Sequence, residues 1–451
     1  MLFITLTFIL IQLALAATAP LRFVYLSLWL QTMPYTWNWD VQRAIDTPLG
    51  ELNIVAIQVF GICLCCLLVV VTELNRSAAE FRSYRWHAIF LLFCILSLTY
   101  APSAAFGLRM IAKLSGPLLF LIVILAVVKS QDEVRKIQQA IIGSGVVLIG
   151  LAVIARVLGI NSDPNSVNSG ISGLGPPGMG PPVFSAHMLP VAMLALATYL
   201  RAPKLVNLVL VLATAASLVG ALERTSAAAL YVGFSVILFF GTRGVWRLLL
   251  PAAGLLGLPA LLIFSETFRN RTFYDISSSA ELLAEPTKAL SQLNSSGRFG
   301  LWDIVLTRFF DPHPIIGSGI GSTQDYLYGI SSIGKGAAHS EYVRLLSEVG
   351  IIGICLFAAA MLAYLVRLLG YTAKANDASL RRAALAAIGG LVAYLMYCST
   401  DNALDYVSQL GIYVFALIAT AIKSHELSAM VRQDAKAAPI QSEALFPNLL
   451  R

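Results

Sequence analysis

Residues 53–72 read NIVAIQVFGICLCCLLVVVT. A run of this length without a single charge is what a helix needs to cross the roughly 30 Å hydrocarbon core of a bilayer. In lipid the backbone must satisfy its own hydrogen bonds, so the run is read as a helix. A membrane β-barrel would instead show segments of about ten residues alternating between apolar and polar.

The same reading recurs along the chain, at 3–18, 21–33, 53–72, 87–106, 111–128, 139–160, 184–200, 205–221, 225–241, 248–265, 349–367, 384–400 and 406–423. The first two segments are short and separated by Pro20, so they make either one broken helix or two. The expected fold is therefore all-α, a polytopic membrane helical bundle of about 12 spans with one large extracytoplasmic loop. The expected organisation is N-terminal transmembrane helices over 1–265, a large loop over 266–348, C-terminal transmembrane helices over 349–423 and a tail over 424–451.

Composition agrees. The 451 residues are 58% hydrophobic and 12% charged, against about 45–50% and about 25% in soluble domains. The net charge of +7 would raise nucleic acid as a partner in a soluble protein. Here the Lys and Arg residues sit in short loops between apolar runs, and no basic patch is interleaved with aromatics, which excludes it. All six cysteines lie inside apolar runs, so Cys63, Cys65 and Cys66 read as membrane packing rather than a metal cluster, which would need a polar surround. Residues 2–16 have no basic residue ahead of them, so they read as a membrane segment that stays rather than a cleaved signal.

Basic residues set orientation. One set of loops holds 14 of them, Arg76, Arg82, Arg85, Lys129, Arg135, Lys136, Arg201, Lys204, Arg243, Arg247, Arg367, Lys374, Arg381 and Arg382, and the short loops on the other side hold 3, Arg43, Arg109 and Arg224. The first set is expected in the cytoplasm, together with the C-terminal tail. The 266–348 loop then faces outside, which in a bacterium is the periplasmic side of the inner membrane. A second external stretch, 161–183, is too rich in Gly and Pro for a helix; it is either a linker or a wall of a substrate groove.

The large loop carries seven Lys or Arg and nine Asp or Glu, so it is not a general anion trap. Its densest part runs Gly297-Arg298-Phe299-Gly300-Leu301-Trp302, then Pro314-Ile315-Ile316-Gly317-Ser318-Gly319-Ile320-Gly321, then His339-Ser340-Glu341-Tyr342-Val343-Arg344. Gly350 and Gly353 follow, in a helix that enters the membrane. This pattern resembles the O-antigen ligase and polymerase superfamily, bacterial membrane glycosyltransferases that use undecaprenyl-diphosphate-linked glycans. Arg224, in Glu223-Arg224-Thr225-Ser226 at an outer helix end, is similar to an arginine of that family. The likeness is sharp over 297–353, softer over 184–265 and only hydropathic before that. The chain departs from the family in having Ser340 where an Asn usually follows the His.

The resemblance implies transfer of a glycan from undecaprenyl diphosphate to an acceptor hydroxyl. The acceptor is either a lipid-linked repeat, as in a polymerase, or a lipid A core sugar, as in a ligase. The leaving diphosphate gathers negative charge, and preorganised cations aimed at it are the largest expected contribution. Arginine suits it through its planar fork, which makes Arg224, Arg298 and Arg344 the diphosphate-binding candidates. His339 is the candidate general base and Glu341 its rival, since histidine most often moves protons near neutral pH. Glu341 and Arg344 are also spaced to pair on a helix. Gly317, Gly319 and Gly321 are not a nucleotide loop, because the Lys that would follow is missing; they are expected to let the backbone approach a sugar. His313, His187, Asp401 and Asp405 are weaker candidates. No carboxylate cluster with metal spacing occurs in the loop, so transfer is expected to need no metal or other cofactor. The alternative function is a polysaccharide or lipid-linked glycan transporter or flippase, and a third is a non-catalytic scaffold.

Overall fold

The structure, a computed structural model, describes residues 2–31, 45–47, 50–52, 54–160, 173–274, 276, 278–284, 287, 292–295, 297–330, 337–374 and 377–437. Helices α1 (Leu2–Thr18) and α2 (Pro20–Leu30) meet at Ala19. Pro20 stands at the first helical position, where its missing N–H is no loss. The two helices fold back on each other: Gln12 Nε2 donates to Ser27 Oγ at 3.0 Å and to Gln31 Oε1 at 2.9 Å. A short antiparallel pair follows, β1 (Ile45–Thr47) and β2 (Gly50–Leu52), with Asp46 opposite Glu51.

The first part of the bundle continues with α3 (Ile54–Thr72), α4 (Leu74–Ala79), α5 (Phe81–Ser97), α6 (Ala104–Val127), α7 (Gln131–Val157), α8 (Pro181–Arg201), α9 (Leu205–Gly220), α10 (Arg224–Gly241), α11 (Trp246–Leu255) and α12 (Gly257–Phe264). Local chemistry sets these boundaries. Ser130 and Glu133 form a capping box at α7, each side chain accepting from the other's backbone N–H at 3.2 Å. Ser103 caps α6, so the segment expected as one span over 87–106 divides: α5 ends at Ser97 and α6 begins at Ala104.

Among the described residues, nine helices are long and apolar enough to cross a membrane, with α11 and α12 taken as one. The difference from about 12 lies in α1, α2, α5 and α9, which are 17, 11, 17 and 16 residues long. With those four, an apolar helix overlaps each segment read from hydropathy, with shifted bounds at α5, α7 and α17. The cysteine reading agrees with their burial: Cys63, Cys65 and Cys66 are buried in the helical core.

Residues 266–348 do not form one irregular loop. They hold α13 (Glu266–Thr272), α14 (Ser279–Ala284), α15 (Arg298–Val305) running into a wide turn over Leu306–Phe310, and α16 (Ser322–Gly329). From Glu341 onward the segment already belongs to α17 (Glu341–Lys374). A small core of Leu301, Val305, Phe309, Leu327 and Ala338 stands apart from the main one. Trp302 Nε1 ties it to the Ala338 carbonyl at 2.8 Å.

The last elements are α18 (Ala378–Thr400), a turn over Ala403–Asp405, a wide turn over Val407–Gly411, and α19 (Ile412–Ala437). In the span that includes α19, an 18-residue apolar stretch is 94% buried, so this helix is the axis of the bundle. Basic residues gather at one end, where Lys423 Nζ meets Glu80 Oε1 and Arg382 meets Gln138 Oε1, both at 2.7 Å. The segments 297–330 and 337–340 lie at the other.

One backbone device joins that outer region to the membrane helices. α17 is interrupted at Gly350, whose φ of 63° and ψ of −167° free carbonyls and amides of the helix. The segment 314–319 takes them up. Ser318 and Gly319 donate to the Ser347 and Glu348 carbonyls at 3.0 and 2.9 Å, and Ile351 and Ile352 donate to the Pro314 and Ile315 carbonyls at 2.9 and 3.1 Å.

Candidate active site

A cavity of about 440 Å³ opens at the outer end of the bundle, and every polar group on its wall sits at the end of a helix or in a turn. Arg224 opens α10, and Glu223 precedes it. Arg298 opens α15 after Gly297, which has a φ of 76°. His339 precedes α17, Arg271 lies in the last turn of α13, and Asp401 ends α18. Asn270, Asn294 and Tyr406 complete the polar lining, with Pro182 from the Gly/Pro stretch. Pro182 is already the second residue of α8, and it is the residue of that stretch on the wall among those described; residues 161–172 lie outside the described residues. Four helices begin at this wall, α8, α10, α15 and α17, and helix N-termini favour anions.

Each arginine is held by a backbone carbonyl. Arg224 Nη1 donates to Asn294 O at 2.5 Å, Arg271 Nη1 donates to Leu222 O at 2.9 Å, and Arg298 Nη1 donates to Thr400 O. A guanidinium has five N–H donors, so one anchoring bond orients the fork without exhausting it. Burial pushes the Glu223 carboxyl up to about 7, helped by Asp401, although Arg271, Arg298 and Arg224 pull the other way.

His339 has a φ of 52°, uncommon for a residue other than glycine. Its backbone N–H donates to Asn402 Oδ1 at 2.9 Å, and its Nδ1 lies 3.2 Å from Asn402 Nδ2 and 3.8 Å from Asp401 Oδ1.

A second, more apolar recess of about 280 Å³ adjoins the first and shares Arg224, Thr225, Asn294 and Arg298 with it. Leu262, Phe299, Trp302 and Met396 are among its apolar walls.

The structure therefore brings Arg224, Arg298 and His339 together, with the weaker candidate Asp401 beside them. It places the remaining candidates elsewhere. Glu341 and Arg344 pair with each other beneath the cavity, with side chains 0% and 3% exposed. Glu341 Oε1 also accepts from Leu404 N–H at 2.7 Å, and Arg344 Nη1 lies 3.4 Å from Asp405 Oδ1. Asp405 is further held by Lys113 Nζ at 2.6 Å. Burial alone would raise the Asp405 carboxyl, but Lys113 and Arg344 hold it at about 2. A rival base at Glu341 and a diphosphate ligand at Arg344 both need open access, which this burial denies. The helical spacing that allowed them to pair is what the chain uses.

Gly317, Gly319 and Gly321 are also off the cavity wall. An added Cβ at Gly317 would lie 2.4 Å from the Glu348 backbone, at Gly319 2.5 Å from Ala101 Cα, and at Gly321 2.5 Å from Gly107 N. These glycines admit helix backbones, not a sugar. His187 is buried against Ser144 and Tyr413, and His313 is exposed away from the cavity. Among the described residues, no group of three or more His, Cys, Asp or Glu is arranged to hold a metal.

Three cavity groups, and Asn402 behind His339, carried little or no sequence signal. Arg271 could be flagged only as one of two close arginines just after a span, Glu223 stood out merely as a partner for Arg224, and Asn402 and Tyr406 arrive from far along the chain.

Residues 208–358 match the family model described as O-antigen ligase. Over that segment the chain is similar to that family. The matched segment holds Arg224, Arg271, Arg298 and His339, while Asp401 and Tyr406 come from outside it, as does Asn402 behind His339. No curated protein matches the chain at a significant level.

Proposed function

We propose that the protein transfers a glycan from an undecaprenyl-diphosphate donor to an acceptor sugar hydroxyl at the periplasmic face of the bacterial inner membrane. One observation carries this reading: Arg224 and Arg298 stand at the border between a polar cavity and an apolar recess. A lipid diphosphate glycan has the same three parts in the same order. The prenyl chain suits the recess, the diphosphate suits the arginines, and the sugar suits the polar cavity. The similarity to the O-antigen ligase family supports the reaction class, and the basic residues gathered at the opposite end support the sidedness.

In the reaction, the acceptor oxygen bonds to the sugar C1 as the C1–O bond to phosphate breaks. The electron pair leaves with the diphosphate, where Arg224, Arg298 and Arg271 meet the growing charge. The acceptor's proton must pass to a group on the wall, which offers His339, Glu223 and Asp401. The arginines supply the charge compensation, so we expect transfer to need no metal; dialysis against a chelator leaves turnover unchanged, and a reversible loss would contradict this.

The deciding test is a transfer assay with purified protein in lipid and an undecaprenyl-diphosphate glycan as donor. A ladder of lengthening lipid-linked chains, lost in His339→Ala, identifies a polymerase. A single block moved to a supplied lipid A core identifies a ligase. Transfer to neither acceptor overturns the reading.

A further inference from the structure

We propose that Asn402 holds His339 as the Nε2–H tautomer, so that His339 donates a hydrogen bond into the cavity and Glu223 takes the acceptor's proton. The inference rests on the glycan-transfer reading above and assigns roles within that site.

The chain of donors is short and closed. The backbone N–H of His339 can only donate, and the oxygen it meets at 2.9 Å is the Asn402 side-chain Oδ1. That bond fixes which way the amide points, because the flipped amide would set two donors against each other. The other end of the amide, its NH2, is then the group 3.2 Å from His339 Nδ1. An NH2 group only donates, so Nδ1 must accept. A neutral imidazole has one accepting and one donating nitrogen, so the proton sits on Nε2. Asp401 does not compete: its Oδ1 is 3.8 Å from Nδ1, beyond hydrogen-bond range, and already accepts from the Asn402 N–H at 2.8 Å.

The support beneath is rigid. Asn402 and Asp401 are buried, and the turn that follows them is fastened through Leu404 to Glu341 and through Asp405 to Lys113. The His339 side chain itself is 41% exposed and lines the cavity. With Nδ1 turned to Asn402, Nε2–H is the polar ring atom left for a ligand.

The step then balances as follows. The acceptor O–H attacks C1, and the C1–O bond to phosphate breaks with its electron pair going to the diphosphate. Nε2–H donates to an oxygen of that leaving group. The acceptor's proton goes to the Glu223 carboxylate, which later returns it to water. Glu223 lines the same cavity as His339, on a wall that it shares with Arg224 from its own helix, Arg271 from α13, Arg298 from α15 and Asp401 from the end of α18. Its carboxyl sits at about 7, where a base is well matched to neutral conditions.

The test uses the full-length protein labelled with [15N]histidine, reconstituted in lipid. His339 is assigned among the five histidines by difference from His339→Gln. The ring nitrogens of the wild type are expected to show Nε2 protonated. Asn402→Asp keeps an oxygen for the His339 backbone N–H but replaces the NH2 by an acceptor, so Nδ1 should take the proton instead. In the transfer assay that substitution is expected to lower kcat about 100-fold with little change in acceptor KM. His339→Gln, which retains a side-chain N–H donor, should keep clearly more activity than His339→Ala. A wild-type ring protonated on Nδ1 overturns the proposal. So does an Asn402→Asp protein as active as wild type, because an aspartate behind His339 would serve a general base well. Absence of transfer in the wild type counts against the glycan-transfer reading, while the nitrogen spectrum still decides the tautomer.

Discussion

Arg344 offers the sharpest test of how the site is built. Read from sequence it is a diphosphate ligand; in the structure it is a buried strut, 2% exposed, between Glu341 and Asp405. Arg344→Ala leaves the Glu341 carboxylate enclosed without its cation, while Asp405 keeps Lys113. Removing one partner of a buried pair costs about 3–5 kcal/mol, against a total stability of about 5–15 kcal/mol. A midpoint shift of about 2–4 °C per kcal/mol holds for 150–250 residues and falls with size, so the expected loss in this 451-residue chain is roughly 3–10 °C. Thermal unfolding in lipid nanodiscs, followed by tryptophan fluorescence, measures it. The double variant Glu341→Gln, Arg344→Met removes both charges yet keeps an oxygen for the Leu404 N–H, and should recover much of the loss. The donor KM of the folded single variant should stay within about twofold of wild type. A full midpoint together with a donor KM raised about tenfold would place Arg344 on the diphosphate and refute the reasoning.

Further outcomes follow from the same geometry. Arg298→Lys keeps the charge but loses the fork, and should lower kcat/KM for the lipid-diphosphate donor by about 10–100-fold, with Arg298→Ala worse; equal activity of Lys and Arg would remove the case for a bidentate contact. The pH profile should rise through about 7, because below it Glu223 is the neutral carboxyl and above it the carboxylate that can accept a proton; Glu223→Gln should abolish that limb, and a limb that survives in the variant points to another group. Gly350→Ala forces a Cβ to 2.4 Å from the Ile315 carbonyl at a φ of 63°. Strain of about 1–3 kcal/mol in this glycine-only backbone region and overpacking of about 1–3 kcal/mol together predict a loss of roughly 2–6 kcal/mol in thermal unfolding, and an unchanged midpoint contradicts the interlock with residues 314–319.

Hydropathy alone determined the class of this fold, because lipid leaves an apolar run little choice but a helix. It located the long apolar helices, missed short ones such as α4, α13, α14 and α16, and missed boundaries where local caps act, as at Ser103. The local patterns that resemble the ligase and polymerase superfamily likewise singled out Arg224, Arg298 and His339, which the structure gathers on one cavity wall. They could not separate these three from Glu341 and Arg344, which share the same few residues of sequence. Only packing decides that the first turn of α17 turns inward to an ion pair while His339, just before it, stays on the cavity wall. Nor could sequence assign the glycines: a glycine that admits a sugar and one that admits a helix backbone read alike, and the atoms at 2.4–2.5 Å come from residues near 101, 107 and 348. The groups that tune the site, Arg271, Glu223 and Asn402, are ordinary residues in the chain. They acquire roles through what the fold sets beside them, because hydrogen-bond direction and burial are properties of pairs in space and not of positions along a strand of sequence.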